Sequence, residues 1–205
     1  MFLEAWRDRD ITMLEIGLYK GASLNMWQEY FPRGFVYGLD INGPEQRGDR
    51  FHVIKGDQAD RRSLESFAGK NLDLIVDDRS HVPEHQLSAF AYLFSNALRA
   101  GGTYIIEDIE TSYWRHGELY GYDFRYGFRS PKSVIEVFKH AADFVNDEFM
   151  RDDDRIVRDG SPGIEPDAMK EIAMVTFAQN CVIVQKKTHQ DAAYDNREYR
   201  RSKFL

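Results

Sequence analysis

Three patterns in the sequence predict an α/β fold built on a mostly parallel sheet. Short apolar runs alternate with helical stretches over the first 110 or so residues, which is the order of strand–helix–strand units. The run Leu74-Ile75-Val76 is apolar throughout, as in a strand buried on both faces. Residues 172–177 and 181–185 flank a short turn and predict an antiparallel hairpin. We therefore expect a seven-stranded sheet, with five parallel strands and then the hairpin, and helices on both faces.

The elements follow in order along the chain. Parallel strands are predicted at residues 11–16, 35–39, 51–55, 74–76 and 103–106. Helices are predicted at residues 23–30, 60–67, 84–99 and 131–149, the third beginning at Pro83, a residue that favours the first turn. Glycines and prolines predict loops at residues 43–50 and 150–166.

Length and composition predict one globular domain over residues 1–187, followed by a polar tail at 188–205. The formal net charge of -7 argues against a nucleic acid or an anionic membrane as the partner. A single cysteine cannot form an internal disulfide, and we find neither a signal-like start nor an apolar run long enough to span a bilayer. We therefore expect a cytoplasmic location.

Acidic residues stand at the end of every predicted parallel strand. In open α/β sheets, ligands bind at this edge. The strand-end residues are Glu15 with Gly17, Asp40, Asp57 with Gln58, Asp77 with Asp78 and His81, and Glu107 with Asp108.

The turn after the first strand favours a ligand with an ammonium group and no phosphate. It has an acid, Glu15, ahead of Gly17 and Gly21, and lacks the closely spaced glycines of a dinucleotide site. Asp40 is spaced to accept hydrogen bonds from two ribose hydroxyls. S-adenosylmethionine offers both groups. Alternatively, Asp40 is an ordinary strand-end acid in a solvated loop.

These motifs resemble those of a known family, the class I methyltransferases that methylate sugar hydroxyls on macrolides, of the mycinamicin and demethylmacrocin O-methyltransferase type. The resemblance covers residues 11–115. The motifs that carry it are Glu15-Ile16-Gly17 with Lys20-Gly21, Gly56-Asp57-Gln58, Asp77-Asp78 with Ser80-His81 and Glu84-His85-Gln86, and Glu107-Asp108 with Thr111-Ser112-Tyr113.

The resemblance implies a Rossmann-like class I methyltransferase fold, S-adenosylmethionine as the methyl donor and a Mg²⁺ ion. It implies that His81 is the general base. The implied metal ligands are Asp78, Glu107 and Asp108. The expected donor contacts are Glu15, Gly17, Lys20, Ser23, Asp40, Asp57, Gln58 and Asp77.

The residue types agree with that allocation. Carboxylates without cysteines or a histidine triad suit a hard divalent cation, and a histidine suits proton removal near neutral pH. Structurally, Asp77 and Asp78 could instead cap the next helix and pair with Arg79 and Arg99. Arg79 stands where relatives usually have glycine, so it could crowd the metal or replace it.

Two other protein classes share part of these patterns. His81-Val82-Pro83-Glu84-His85 matches the His-x-x-Glu-His pattern of inverted zinc peptidases, which requires both histidines on one continuous helix. A metal-dependent hydroxylase of the cephalosporin-hydroxylase type shares the paired acids, although iron oxygenases prefer two histidines and one carboxylate. A non-catalytic module that binds the adenosyl ligand is a third possibility.

Seven aromatic residues lie between positions 113 and 128, and the last five alternate strictly. In an extended segment those five would share one face, buried on the core or in a homodimer contact. The other hypothesis makes residues 109–130 a lid or insertion that closes over a carbohydrate. The aromatic residues predicted to contact the substrate are Tyr113, Trp114, Tyr120 and Tyr122.

The function predicted from the sequence is therefore Mg²⁺-dependent methylation of a sugar hydroxyl. The acceptor would be an oligosaccharide such as a methylated mannoside, or an antibiotic deoxysugar. A catechol-like diol is the next choice because it presents the same pair of vicinal oxygens to a metal.

Overall fold

A single eight-stranded sheet organises the computed structural model, which describes residues 3–115, 117, 121–161 and 165–194. Its strands are β1 (Thr12–Ile16), β2 (Phe35–Asp40), β3 (Gln46–Arg47), β4 (Phe51–Lys55), β5 (Leu72–Asp77), β6 (Leu98–Glu107), β7 (Ile172–Ala178) and β8 (Cys181–Lys186). They lie side by side in the order β3-β4-β2-β1-β5-β6-β8-β7. The five central strands, from β4 to β6, are parallel, and the pairs at both ends are antiparallel.

Helices cover both faces of this sheet, as the sequence predicts. They are α1 (Ala22–Tyr30), α2 (Arg61–Glu65), α3 (Pro83–Asn96), α4 (Val134–Val145), α5 (Asp152–Asp159), α6 (Pro166–Lys170) and α7 (His189–Tyr194). Within the part of the chain that the structure describes, two separate apolar clusters form the core, because alternate residues of a strand point to opposite faces. One cluster joins the sheet to α2, α3, α4 and α6, and the other joins it to α1.

The order in which strands are added to the sheet reverses between β1 and β5, although the two strands are parallel. From β1 the chain moves outward through β2 to β4, and it then returns to build β5 and β6 on the other side of β1. Such a switch point leaves a crevice at the carboxyl ends of the two strands, where open α/β sheets bind ligands. Ile16 and Asp77, the last residues of β1 and β5, are paired there.

The predicted count of seven strands is wrong, because a short antiparallel strand, β3, lies within the predicted loop at 43–50. Gln46 and Arg47 pair with Val53 and His52 of β4 at the edge of the sheet. Both residues of β3 are polar and exposed, so the strand has no apolar alternation to reveal it. The class of fold is confirmed.

Two further boundaries differ from the prediction. Helix α3 ends at Asn96, and β6 begins at Leu98, where helix had been predicted. Leu98 pairs with Leu72, and the backbone N–H of Leu72 donates to Ala97, so sheet pairing decides the conformation. The predicted loop at 150–166 contains α5, whose first turn is acidic, as helix N-termini favour.

Among the described residues, no helix combines the length and the apolar character needed to cross a bilayer.

Candidate active site

The predicted acids gather at the carboxyl edge of the parallel strands. Asp78 directly follows β5, while Glu107 ends β6 and Asp108 follows it. Because β5 and β6 are parallel neighbours in register, these positions lie side by side. This pairing brings the two predicted acidic motifs together at one edge of the sheet.

Asp78, His81 and Asp108 form a compact cluster of possible metal ligands. One ligand atom from each lies within 4.8 Å of the others. His81 Nε2 is 3.8 Å from Asp108 Oδ2. Burial, followed by repulsion from Glu107 and Asp108, raises the pKa of Asp78 to about 6. Burial and the charge of Asp108 also raise the pKa of Glu107.

His81 lies in the loop between β5 and α3. Ser80 and His81 both adopt positive φ angles, 53° and 48°, a conformation that non-glycine residues rarely adopt and that is concentrated at functional sites. Helix α3 begins at Pro83, so His81 and His85 do not share a helix, which contradicts the zinc-peptidase alternative. Tyr122 packs edge-on against the imidazole of His81, with ring centroids 5.7 Å apart.

Glu15 is buried at the end of β1, beneath the turn that leads into α1. Its carboxylate accepts hydrogen bonds from Trp27 Nε1 at 3.0 Å and from Ser23 Oγ at 2.9 Å. Burial raises its pKa to about 7, and these two hydrogen bonds oppose the rise. The role of Trp27 could not be predicted from the strand-end motifs, although Trp27 stands one helical turn after Ser23.

Gly17 allows two backbone segments to pass in close contact. A Cβ at this position would lie 2.5 Å from the carbonyl oxygen of Asp78, and its φ of 95° also favours glycine. The turn after β1 is therefore packed directly against the start of the β5–α3 loop.

Asp40 is almost fully buried and organises the loops around it. Its two oxygens accept backbone N–H groups from both loops; the donors are Leu18 and Tyr19 after β1, and Asn42 and Gly43 after β2. Burial acts to raise the pKa of Asp40, but these bonds and the charge of Arg79 outweigh it and hold the pKa below its usual value.

Arg79 turns toward Asp40. Its Nη1 is 3.4 Å from Asp40 Oδ2. The guanidinium therefore pairs with the acid at the end of β2. The two residues are 39 positions apart, and the sequence motifs do not predict that they meet.

A cavity of about 560 Å³ opens beside Asp40 and includes two predicted donor residues, Lys20 and Asp40. Leu18, Leu24 and Phe51 contribute apolar surface to its wall. The volume falls within the range of small-molecule sites.

The remaining predicted donor residues lie at the end of β5 and after β4. Asp77 is fully buried, accepts a hydrogen bond from Gln58 Nε2 and lies 3.5 Å from the hydroxyl of Tyr104. Burial raises the pKa of Asp77 to about 8. Asp57 follows β4, and its Oδ1 accepts the backbone N–H of Ala59. Gln58 Oε1 is buried and has no hydrogen-bond partner among the described residues.

The two ends of the aromatic segment lie against each other. Phe128 N donates to the carbonyl of Trp114 at 2.7 Å, which closes the segment into a loop. Tyr113 is 58% exposed, and Tyr122 contacts His81. The described part of this segment contains no strand, yet Tyr122, Phe124 and Tyr126 are each half-buried and alternate with exposed residues, as the prediction of one shared face requires. Tyr120 lies outside the described residues.

The sheet order and the acids at its carboxyl edge define the class of this chain, a Rossmann-like methyltransferase fold. No family model matches the sequence. Its curated relatives are sugar and macrolide O-methyltransferases. Two of them are the 8-demethyl-8-alpha-L-rhamnosyl tetracenomycin-C 2'-O-methyltransferase of Streptomyces olivaceus, 38% identical over 66% of this chain, and the mycinamicin VI 2''-O-methyltransferase of Micromonospora griseorubida, 41% identical over 53%.

Solved structures give the same result. The MycE methyltransferase of the mycinamycin pathway, in complex with Mg, S-adenosylhomocysteine and mycinamycin VI, matches 91% of this chain with a TM-score of 0.72 and 28% identity. The resemblance predicted from the sequence motifs is thereby confirmed. This chain spans 39% and 30% of the two curated relatives and 48% of the MycE chain.

Proposed function

We propose that this chain carries the methyl-transfer site of an S-adenosylmethionine-dependent and Mg²⁺-dependent O-methyltransferase that acts on a sugar hydroxyl. The observation that carries the proposal is the convergence of Asp78, His81 and Asp108 within 4.8 Å at the edge of a methyltransferase-like sheet. The names of the curated relatives, which are O-methyltransferases of glycosylated antibiotics, support the reaction. The complexes of MycE with Mg and S-adenosylhomocysteine support the cofactors.

The donor atoms at this edge suit Mg²⁺. Carboxylate oxygens are the ligands that hard divalent cations prefer, and Asp78, Glu107 and Asp108 supply them. The raised pKa values of Asp78 and Glu107 reflect burial and mutual repulsion, which a cation between them would relieve. Asp78 and Asp108, which belong to the cluster, and Glu107, which ends β6 beside them, would hold the ion, and once bound it would lower the pKa of an acceptor hydroxyl.

We assign the donor to the crevice between β1 and β5. Glu15 suits the ammonium group of the methionine part. Gly17 has no side chain, so the turn after β1 packs closely against the backbone of Asp78 at this crevice. Asp40 and Lys20 line the cavity of about 560 Å³, which we propose for the adenosyl part. The further proposed contacts are Ser23, Asp57, Gln58 and Asp77.

His81 is proposed to take the proton from the acceptor hydroxyl at its Nε2 atom. The acceptor oxygen then forms a bond to the donor methyl group, the carbon–sulfur bond breaks, and its electron pair leaves the sulfur neutral in S-adenosylhomocysteine. The negative charge of Asp108, whose Oδ2 is 3.8 Å from Nε2, would stabilise the imidazolium that results. The edge-on contact with Tyr122 holds the imidazole ring in place.

The acceptor is proposed to be a sugar, either an oligosaccharide such as a methylated mannoside or an antibiotic deoxysugar. Trp114 and Tyr122 belong to the loop closed by Trp114 and Phe128, and Tyr113 directly precedes it. Because Tyr122 contacts His81, rings of this segment could stack on a saccharide there. A homodimer and a cytoplasmic location stay predictions of the sequence.

Thermal unfolding with saturating S-adenosylhomocysteine, followed by methyl transfer from labelled donor to candidate sugars with and without EDTA, tests this function. We expect a raised melting temperature and a transfer activity that EDTA and Asp78→Ala both abolish. No shift with the ligand would contradict the donor assignment and favour the hydroxylase alternative. Binding without transfer to any sugar or diol would favour a non-catalytic module, and activity that survives EDTA or Asp78→Ala would contradict the metal role.

The proposed base makes a separate prediction. We expect His81→Ala to lower kcat by about 10²- to 10⁴-fold, the usual contribution of a positioned base, and to leave the affinity for S-adenosylhomocysteine within about two-fold. His85→Ala is the matched control, because this histidine lies on α3, outside the ligand cluster. Equal losses in the two variants would contradict the role of His81.

A further inference from the structure

We infer that Asn180, in the turn between β7 and β8, is a positioning residue for Asp108. The inference rests on the proposed function, in which Asp108 holds Mg²⁺. It begins with the register of the sheet: β8 is antiparallel to β6, and Cys181 pairs with Glu107. Asp108 is the residue after Glu107, and Asn180 is the residue before Cys181, so in this antiparallel pair Asn180 stands opposite Asp108. The hairpin turn therefore lies directly beside the proposed metal site.

The side chains and the backbones of these two segments are joined at this point. Asn180 Nδ2 donates a hydrogen bond to Asp108 Oδ1 at 2.7 Å. The backbone N–H of Ile109 donates to the carbonyl of Asn180 at 3.5 Å. Asp108 Oδ2 is left facing His81. The two oxygens of the Asp108 carboxylate therefore have different partners: Asn180 of the hairpin holds Oδ1, and Oδ2 faces His81 in the cluster.

The backbone geometry explains why an asparagine suits this position. Asn180 and Asp108 have positive φ angles of 57° and 50°, which asparagine and aspartate tolerate better than most residues. A short amide at this point reaches across the pair, whereas a longer side chain would have to fold back.

The hydrogen bond matters because the carboxylate of Asp108 is not fixed by burial. Its side chain is 46% exposed, so without the amide it would be free to rotate toward water. Hydrogen bonds to the ligating side chains orient them, and losing such a partner typically weakens metal binding by about 10- to 100-fold. Asn180 therefore contributes to metal affinity without touching the metal.

Mn²⁺ binding, followed by the electron paramagnetic resonance signal of the free ion, tests the inference on the whole chain. Asn180→Gly removes the amide and keeps a residue that adopts positive φ readily. We expect its Mn²⁺ dissociation constant to rise by about ten-fold. Gln179→Gly is the matched control, because Gln179 is the exposed neighbour in the same turn, and we expect it to stay within about two-fold of the wild type. Thermal unfolding in EDTA should give similar melting temperatures for both glycine variants.

The outcomes separate this inference from the proposed function. Mn²⁺ binding by the wild type, with Asn180→Gly within two-fold of it, would overturn the positioning role alone. Equal weakening in Asn180→Gly and Gln179→Gly would also overturn it, since loosening of the turn would then explain the effect. A wild type that binds no Mn²⁺ would contradict the proposed metal site together with this inference, while the shift with S-adenosylhomocysteine tests the donor independently.

Discussion

Glu15 couples protonation to folding through its buried position at the end of β1. Burial raises its pKa from 4.5 to about 7 in the folded chain, even though Trp27 and Ser23 donate hydrogen bonds to it. Between these two values the unfolded chain loses the proton while the folded chain keeps it, so rising pH favours unfolding. At about 1.36 kcal/mol per pKa unit, the shift corresponds to about 3 kcal/mol of stability that is present below pH 4.5 and lost above pH 7.

Glu15→Gln should remove this pH dependence, because the amide has the same size but does not titrate. We expect the stability of the variant relative to the wild type to grow by about 3 kcal/mol between pH 4.5 and pH 8. Urea unfolding in EDTA and without donor measures it. Glu29→Gln, at an exposed position on α1, the helix that supplies Ser23 and Trp27, should show no such trend. A constant difference between Glu15→Gln and the wild type across this range would contradict the assignment.

Which contacts of individual residues could be predicted depends on whether the order of the elements alone determines them. Asp78, His81 and Asp108 were placed in one site because the ends of parallel strands share an edge, a rule that requires only the order of the elements. The contacts of Arg79 with Asp40 and of Asn180 with Asp108 join positions 39 and 72 residues apart. Side-chain geometry decides such pairs, and the motifs carry no information about it.

Lys186 of β8 forms hydrogen bonds with the backbone at the end of α3 and the start of β6. Its Nζ donates to the carbonyls of Phe94 at 2.7 Å and Leu98 at 3.2 Å, and it lies 2.8 Å from Glu171 Oε2. Only 10% of its side chain is exposed. Carbonyls at a helix C-terminus lack partners within the helix, and a cation there satisfies them. The abrupt passage from α3 into β6 is therefore held from the neighbouring strand.

Lys186→Met should destabilise the chain by about 2 kcal/mol, because hydrogen bonds to a charged group are lost and buried carbonyls are left without a donor. For a chain of this size the melting temperature should fall by about 4–8 °C. Lys170→Met is the control: Lys170 is half exposed, and its ion pair with Asp159 spans 3.4 Å, so a loss below about 1 kcal/mol is expected. Equal losses in the two variants, measured by thermal unfolding, would show that Lys186 has no special part in joining these elements.

At the level of elements, prediction succeeded where packing produces a pattern and failed where pairing alone decides. The parallel strands and α3 carry runs or helical spacings of apolar residues that are buried in the structure. The short strand β3 is polar and exposed and is defined only by its hydrogen bonds to β4. Helix α5 has exposed Ile156 and Val157 and a buried Arg158, the reverse of the pattern that identifies a helix packed on a core.

The whole molecule concentrates negative charge at one edge of the sheet. Glu15, Asp78, Glu107 and Asp108 act on one another there, and the net charge of the chain is -7. Arg79 is directed to Asp40 and leaves the carboxylates of the cluster to repel one another. An arrangement of this kind lowers the stability of the folded chain until a cation binds, so stability and function are linked through the same carboxylates.

Mg²⁺ should therefore stabilise the chain as a whole, because it binds the folded edge and finds no such site in the unfolded chain. At a concentration of about 100 times its dissociation constant, the gain is about 2.7 kcal/mol, or about 5–10 °C in melting temperature for a chain of this length. KCl at matched ionic strength should give a much smaller shift, since it only screens the charges. Asp78→Asn should melt at a higher temperature than the wild type in EDTA, because one repelling charge is gone, and should lose most of the Mg²⁺ shift. If Mg²⁺ and KCl gave equal shifts, or if Asp78→Asn kept the full response, the stabilisation would come from screening and the carboxylates would not form a specific site.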